Sequence, residues 1–319
     1  MQAVGRMFVR AIIGTVFLAT TACGGGGGSS SASAPPVVSP PSPPPPPPTA
    51  VNVNISNPTL AVADNSPESP GDTLTLDWSD EIEDTQLDPE AWHYDSGDGS
   101  QYGIPGWGNN ELQWYEPDSA ELANGLLLIT ARDELQGGLN YTSARINTRD
   151  RFAFRYGRIE ARIRLPGGQG LWPAFWLLPQ DDVYGGWAAS GEIDVMEAVN
   201  LGAAGGNTVF GTIHYGGEWP NNVFTGHEYI VPTDTTAEFH TYALEWDEAE
   251  LRWYVDDVLY AMQNSWSTTA APFPAPFDQP FYILLNVAVG GNFPGPPNAG
   301  TAFPVTMEVD YVRVYSGDP

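Results

Sequence analysis

The chain has 319 residues and carries 39 Asp and Glu against 12 Lys and Arg, a formal net charge of −27. All twelve cations are arginine. So acidic a chain lacks the basic footprint that nucleic-acid phosphates require and suits a polyanionic glycan poorly, which leaves neutral or cationic partners. Solubility accounts for most of the charge. The single cysteine excludes an intramolecular disulfide. No run reaches the ~18 apolar residues of a membrane-spanning helix.

Residues 1–22 read as an export signal. Arg6 and Arg10 form its positive region, residues 11–19 a short apolar core, and Thr20, Thr21 and Ala22 a small-residue stretch before Cys23. This arrangement resembles the lipobox of bacterial lipoproteins, with Thr20 where leucine usually stands and Leu18 two residues further back. The resemblance implies that Cys23 is lipidated and becomes the mature N-terminus. Cleavage near Ala22 without lipidation is the alternative. Gly24, rather than an aspartate, follows the cysteine, which favours the outer membrane or cell surface over inner-membrane retention. Without the anchor, the expected location is periplasmic or secreted. The lipid is the only membrane contact expected.

Residues 23–50 form a tether. A Gly/Ser stretch acts as a flexible coil, and residues 35–48 are proline-rich and extended. At ~3.1 Å per residue that stiff part spans roughly 43 Å. Residues 51–73 are a polar N-terminal extension, either a strand remnant or plain linker. All 11 tryptophans lie at Trp78 or later, and this break in composition places a single domain over 74–317.

Within that domain the periodicity is that of strands. Ile159, Ala161, Ile163 and Leu165 alternate with Arg158, Glu160, Arg162 and Arg164. Met307, Val309 and Tyr311 alternate with Glu308 and Asp310. Further short β-rich runs cover 126–130, 209–215, 251–255 and 281–289, separated by Gly, Pro, Asn and Asp. The pattern predicts an all-β fold: an antiparallel two-sheet β-sandwich (jelly roll) with an open substrate cleft.

The segment Gly191-Glu192-Ile193-Asp194-Val195-Met196-Glu197 places three acids in a β-rich run. In a regular strand Glu192 and Asp194 share a face and Glu197 points to the other. A β-bulge between Asp194 and Glu197 brings all three to one face. Glu192 and Glu197 are then about four strand steps apart, ~13 Å between backbones. Each side chain reaches inward, towards the ~5–5.5 Å carboxyl separation of a retaining glycosidase. Crowded like charges raise the pKa of one member and so keep an acid protonated near neutrality. A solvated acidic strand face is the plainer reading of the same residues.

With its neighbours the segment resembles glycoside hydrolase family 16, whose signature is E-I-D-x-x-E with the bulge. GNNELQWY (108–115), GRIEAR (157–162), GLWPAFWLLP (170–179), GTIHY (211–215), LNVAVGGN (285–292) and VDYVRVY (309–315) agree with it. Within the family the similarity is to the bacterial laminarinases, endo-β-1,3-glucanases. The resemblance implies that Glu192 is the nucleophile, Glu197 the general acid/base, and Asp194 the aspartate that sets the nucleophile's protonation. It implies that Asn110, Arg145, Trp172, Trp187 and His214 bind substrate. A sugar presents an apolar face to Trp and a hydroxyl rim to Asn, Arg and His. The family's usual Trp-Pro is Trp187-Ala188 here. For Arg145 a pairing with an acid, and for His214 a core position, are the alternatives. Trp176 is expected to pack in the core, as are Trp246, Trp253 and Trp266 in the core or on the surface. His93, His227 and His240 show no metal-ligand spacing and are expected to be structural.

The same resemblance implies a structural Ca²⁺ held by Glu81, Gly125 and Asp310, oxygen ligands of the kind calcium prefers. No cofactor is expected for catalysis. The expected protein is a monomer acting on a neutral β-glucan by double displacement. A same-family enzyme on mixed-linkage glucan or agarose, a transglycosylase, and a non-catalytic β-glucan-binding protein are the alternatives; the presence of both glutamates disfavours the last.

Overall fold

The computed structural model describes residues 61–64 and 74–317. The signal at 1–22 and the tether at 23–50, with Cys23, lie outside the described residues. Among the described residues are 19 strands and three short 3-10 turns.

In the nine-stranded sheet the order is Ala61–Asp64, Phe152–Arg155, Phe281–Val289, Leu171–Pro179, Glu192–Ala198, Thr208–Tyr215 and Val223–Ile230. Arg145–Asn147 also pairs with Phe281–Val289, and His93–Asp95 pairs with Arg145–Asn147. The ten-stranded sheet runs Val258–Gln263, Leu251–Val255, His240–Trp246, Gly157–Arg164, Val305–Ser316, Leu126–Gln136, Leu139–Ser143 and Gln113–Tyr115. Thr75–Asp80 adds to Val305–Ser316, and Ala120–Ala123 to Leu126–Gln136. Pairing is antiparallel except at two places. Ala61–Asp64 lies parallel to Phe152–Arg155, and Gln113–Tyr115 parallel to Leu139–Ser143. Four residues of the 51–73 extension are thus a strand of the first sheet.

The inward faces meet in one core. Ile159, Ala161 and Ile163 of one sheet share a buried cluster with Phe175, Leu177, Ile193, Ile213, Leu285 and Val287 of the other. Each of these Ile, Leu, Val and Phe side chains contributes ~1.5–3 kcal/mol by leaving water. The charged partners of the alternation project outward: Arg158 meets Glu160, Glu245 and Asp257. Trp246, Trp253 and Trp266 are buried, in accord with the sequence expectation. Trp253 stands under the strand Glu192–Ala198 and donates its indole N–H to the Asp194 carbonyl at 2.9 Å. Gly211 makes room for it, since a Cβ there would sit 2.4 Å from the Trp253 ring.

The strand Phe281–Val289 is buried at all nine positions. On its second face Tyr282 and Leu284 pack with Ala153, Trp176 and Leu178, and Asn286 and Val289 bond to Tyr115 and Gln113 of the 111–115 segment. It therefore stands behind the site with its polar residue, Asn286, buried.

Candidate active site

Glu192–Ala198 lies between Leu171–Pro179 and Thr208–Tyr215. Opposite Thr208–Tyr215, Asp194 pairs with Thr212 and Glu197 with Phe210, so three residue steps face two. The same irregularity appears on the other edge, where Trp176 opposes Asp194 and Phe175 opposes Met196. This is the expected bulge. It turns Glu197 to the face that Glu192 and Asp194 already occupy, while Ile193 and Met196 point into the core. Glu192 opposes His214 and Glu197 opposes Phe210, four steps apart on the partner strand.

Each glutamate is held by a tryptophan. Trp187 Nε1 donates to Glu192 Oε2 at 2.7 Å, and Trp172 Nε1 donates to Glu197 Oε1 at 2.8 Å. His214 Nε2 lies 3.5 Å from Glu192 Oε1 and 3.4 Å from Asp194 Oδ2. Asp194 is 3% exposed and Glu197 9%.

Burial and the neighbouring Asp194 charge push Glu192 up to about 7. Burial, again with Asp194, raises Glu197 well above the usual carboxylate range. Burial opposes the charged form of His214, but Glu192 and Asp194 outweigh it and raise the imidazole to about 9. Burial and mutual charge thus raise the proton affinity of all three groups. The titrations belong to the cluster as a whole.

The structure places every expected substrate-binding residue on or beside this face. Trp172 and His214 flank the acids, one in each neighbouring strand. Trp187, 39% exposed, borders the Glu192 end, its ring 5.4 Å from that of His214. Asn110 is exposed on a loop, donating to Asn292 Oδ1 at 2.9 Å. That loop meets Gly291, which lies against the Trp172 ring. Arg145 makes the acid pairing that the sequence holds as its alternative. Its Nε pairs with Asp95 Oδ2 at 2.9 Å, and its guanidinium lies over the rings of Trp107 and Trp176 at 4.5 and 4.8 Å.

Trp176 corrects the sequence reading. It lies outside the inter-sheet core: Phe175 and Leu177 point inward, while Trp176 is half-buried on the opposite face, packed against Ala153, Tyr282 and Leu284. An apolar run with aromatics at alternate positions looks uniformly buried. Only the sheet's second face, covered by a loop, distinguishes the two sets.

Several contributors were not singled out from the sequence. Glu111, buried within the motif 108–115, accepts from Gln113 Nε2 at 2.7 Å and Tyr115 OH at 3.3 Å. Burial raises its pKa. Tyr115 OH in turn accepts from Asn286 Nδ2 at 3.1 Å, and Asn286 Oδ1 accepts from Trp176 Nε1 at 2.7 Å. This chain fixes the Asn286 amide and the plane of Trp176. Asn286 is a polar residue inside a fully apolar strand, and that interruption was the available signal. Phe224 near His214, and Phe293 against Trp172 and Phe210, extend the aromatic surface at the two ends. Nothing in their sequence context sets them apart from packing residues.

The calcium residues behave differently. Glu81 and Gly125 flank the strand carrying Asp310, as the registers of Thr75–Asp80 and Leu126–Gln136 require. Both oxygens of Glu81 are, however, taken by Arg313 at 2.9 and 2.7 Å, and Asp310 Oδ2 by Arg162 at 2.6 Å. The donor set as it stands is a pair of ion pairs rather than an open oxygen cage. His240 is structural, its Nδ1 held 2.6 Å from Asp256.

Comparison with known proteins agrees with this arrangement. The chain is 45% identical to the glucan endo-1,3-beta-glucosidase A1 of Niallia circulans over 76% of its own length, but it spans only 38% of that protein. It is 42% identical to the beta-glucanase of Rhodothermus marinus, covering 79% of this chain and 88% of that one. The laminarinase catalytic domain from Thermotoga maritima MSB8 superposes with a TM-score of 0.70 at 39% identity, covering 78% of this chain and all of that one. The profile of glycosyl hydrolases family 16 matches residues 107–313, and with 65% of its length so matched the chain belongs to that family.

Proposed function

We propose that the protein is a retaining endo-glycosidase that hydrolyses internal β-1,3 linkages of laminarin-like glucans. One observation carries this reading: the bulge sets Glu192 and Glu197 on one cleft face, both with proton affinities raised by burial and by Asp194. Glu197, raised well above the usual carboxylate range, is the general acid; Glu192 is the nucleophile. Glu192 attacks the anomeric carbon as Glu197 protonates the departing glycosidic oxygen, leaving a glycosyl ester on Glu192. Glu197, now a carboxylate, takes a proton from water. The hydroxide equivalent attacks the anomeric carbon and releases Glu192 and a sugar of unchanged configuration. Asp194, through its charge, keeps a proton within the cluster, and His214 offsets the crowded carboxylates. Trp172, Trp176 and Trp187 offer faces for the sugar rings, and Asn110 and Arg145 reach their hydroxyls. The relatives named as glucanases support the choice of β-1,3-glucan.

Reducing-end release from laminarin, lichenan, agarose and xyloglucan tests the substrate. Activity confined to agarose or xyloglucan overturns the reading. Proton NMR of the first products tests the mechanism: the β-anomer is expected first.

We extend the proposal to the rest of the chain. The protein is an exported monomer, anchored at the outer membrane or cell surface through a lipid on Cys23, with 24–50 as its tether. Labelled palmitate is expected to enter the wild type and not Cys23→Ala. Calcium at Glu81, Gly125 and Asp310 would have to displace Arg313 and Arg162. A rise in Tm on adding Ca²⁺ that disappears in Asp310→Ala is the outcome this part of the proposal expects.

A further inference from the structure

The Glu192, Asp194 and His214 side chains have a geometry that double displacement does not itself demand. One ligand atom from each lies within 4.8 Å of the other two. His214 Nε2 stands 3.5 Å from Glu192 Oε1 and 3.4 Å from Asp194 Oδ2. Among the described residues, the imidazole of His240 closes on Asp256 at 2.6 Å. His214 thus sits between two carboxylates without closing on either. Zinc bond lengths of ~2.0–2.2 Å with tetrahedral angles put neighbouring ligand atoms ~3.3–3.6 Å apart. Both separations from His214 fall in that interval.

A second observation points to a ligand. Asp194 is 3% exposed, and its Oδ2 makes no hydrogen bond; its ion-pair partner, His214 Nε2, stands off at 3.4 Å. A buried carboxylate oxygen with one long ion-pair contact and no hydrogen bond is under-satisfied, and a metal ion between the three groups supplies a closer partner. Glu192 Oε2 is taken by Trp187, which leaves Oε1 to face the same point. The widest of the separations closes by rotating the Glu192 side chain about its own single bonds.

We propose that the resting cleft binds one divalent first-row cation, of which Zn²⁺ is the probe, through Glu192, Asp194 and His214, and that β-glucan displaces it. Two carboxylates and an imidazole form a mixed O/N set that zinc accepts, with a fourth position open to water. The ion takes the place of the imidazole proton and releases it to the buffer. It also occupies the nucleophile. A bound metal is therefore inhibitory, and sugar and ion exclude one another. The inhibitory part rests on Glu192 being the nucleophile; the binding part does not.

Isothermal titration of the purified protein with Zn²⁺ at pH 8 tests the binding directly. One equivalent is expected, and Asp194→Asn and His214→Asn should each weaken it by more than the ~10–100-fold that losing an outer-shell partner costs. Glu197→Gln keeps all three ligands and spares the sugar. In that variant a β-1,3-linked glucose hexamer should abolish the zinc heat. Co²⁺ provides a readout that needs no ligand variant: its visible absorption should be intense, as for low coordination number, and should bleach on adding the hexamer. In the wild type, inhibition by Zn²⁺ should be competitive with laminarin. Zinc binding that survives both ligand variants, or that the hexamer leaves unchanged, overturns the proposal, as does binding only at millimolar concentration. Should laminarin prove not to be cleaved while zinc binding still depends on Asp194 and His214, the glucanase reading fails alone.

Discussion

The two indole N–H contacts give a paired test of which glutamate does what. Trp187→Phe removes the donor on Glu192, and Trp172→Phe removes the donor on Glu197. Both contacts stabilise the carboxylate form, so losing either raises the pKa of its partner. A hydrogen bond to a charged group contributes ~1.5–3 kcal/mol, and ~1.4 kcal/mol corresponds to one pH unit. Trp172 is shielded, so its loss should move Glu197 by about 1–2 pH units. Trp187 is more exposed and water replaces part of its bond, so about 0.5–1 unit is expected at Glu192. The two effects fall on opposite limbs. The ascending limb of kcat/KM against pH reports the nucleophile losing its proton, and the descending limb reports the acid losing its own. Trp187→Phe should therefore shift the ascending limb to higher pH and cost activity on the acid side. Trp172→Phe should shift the descending limb to higher pH and extend activity on the alkaline side. Initial rates on laminarin from pH 4 to 10, at substrate well below KM, measure both. Weaker sugar stacking lowers the whole curve and does not mimic a displaced limb. If each variant moves the opposite limb, the roles of Glu192 and Glu197 are reversed. If neither limb moves, the indole contacts do not govern the titration.

Other expectations follow from the same structure. Glu192→Gln and Glu197→Gln should each lower kcat on laminarin by at least ~10²-fold, the lower end of what a positioned proton donor supplies. Glu197→Gln should also raise Tm at pH 7, measured by calorimetry. The folded-state pKa of Glu197 lies above its unfolded value, so stability falls as pH rises from about 4.5, and a neutral amide escapes that loss. Tyr115→Phe removes the hydroxyl linking Glu111 to Asn286 and should lower stability by ~1–3 kcal/mol, because buried polar partners are left unpaired. Freed of that constraint, Trp176 should shift its fluorescence. Gly211→Ala places a Cβ 2.4 Å from Trp253 and 2.7 Å from the Tyr260 hydroxyl, and should destabilise by ~1–3 kcal/mol in denaturant unfolding.

The candidate catalytic residues were readable because their pattern is local. Three acids within six residues of a β-rich run are out of place unless a bulge turns the last of them, and the bulge lies between Asp194 and Glu197. Period-two alternation likewise placed Ile159, Ala161 and Ile163 in the core, because a strand has only two faces. Trp176 shows the limit. Its neighbours on both sides are apolar, and in a sheet covered on both faces apolarity no longer reports direction.

What the sequence could not contain is the company each residue keeps across the fold. Arg145 meets Asp95 fifty positions away and lies between two indoles; Glu111 governs Trp176 through Tyr115 and Asn286. These contacts depend on strand order, which puts Phe281–Val289 beside Leu171–Pro179 and folds the 108–115 segment over both. Ionisation depends on the same order, because burial by distant segments is the largest cause of the raised Glu192 and Glu197 pKa values. The sequence by itself determined which carboxylates are present and that they share a face. The tertiary structure alone decided how far their proton affinities rise, because desolvation and field are properties of everything packed around a group and not of its neighbours in the chain.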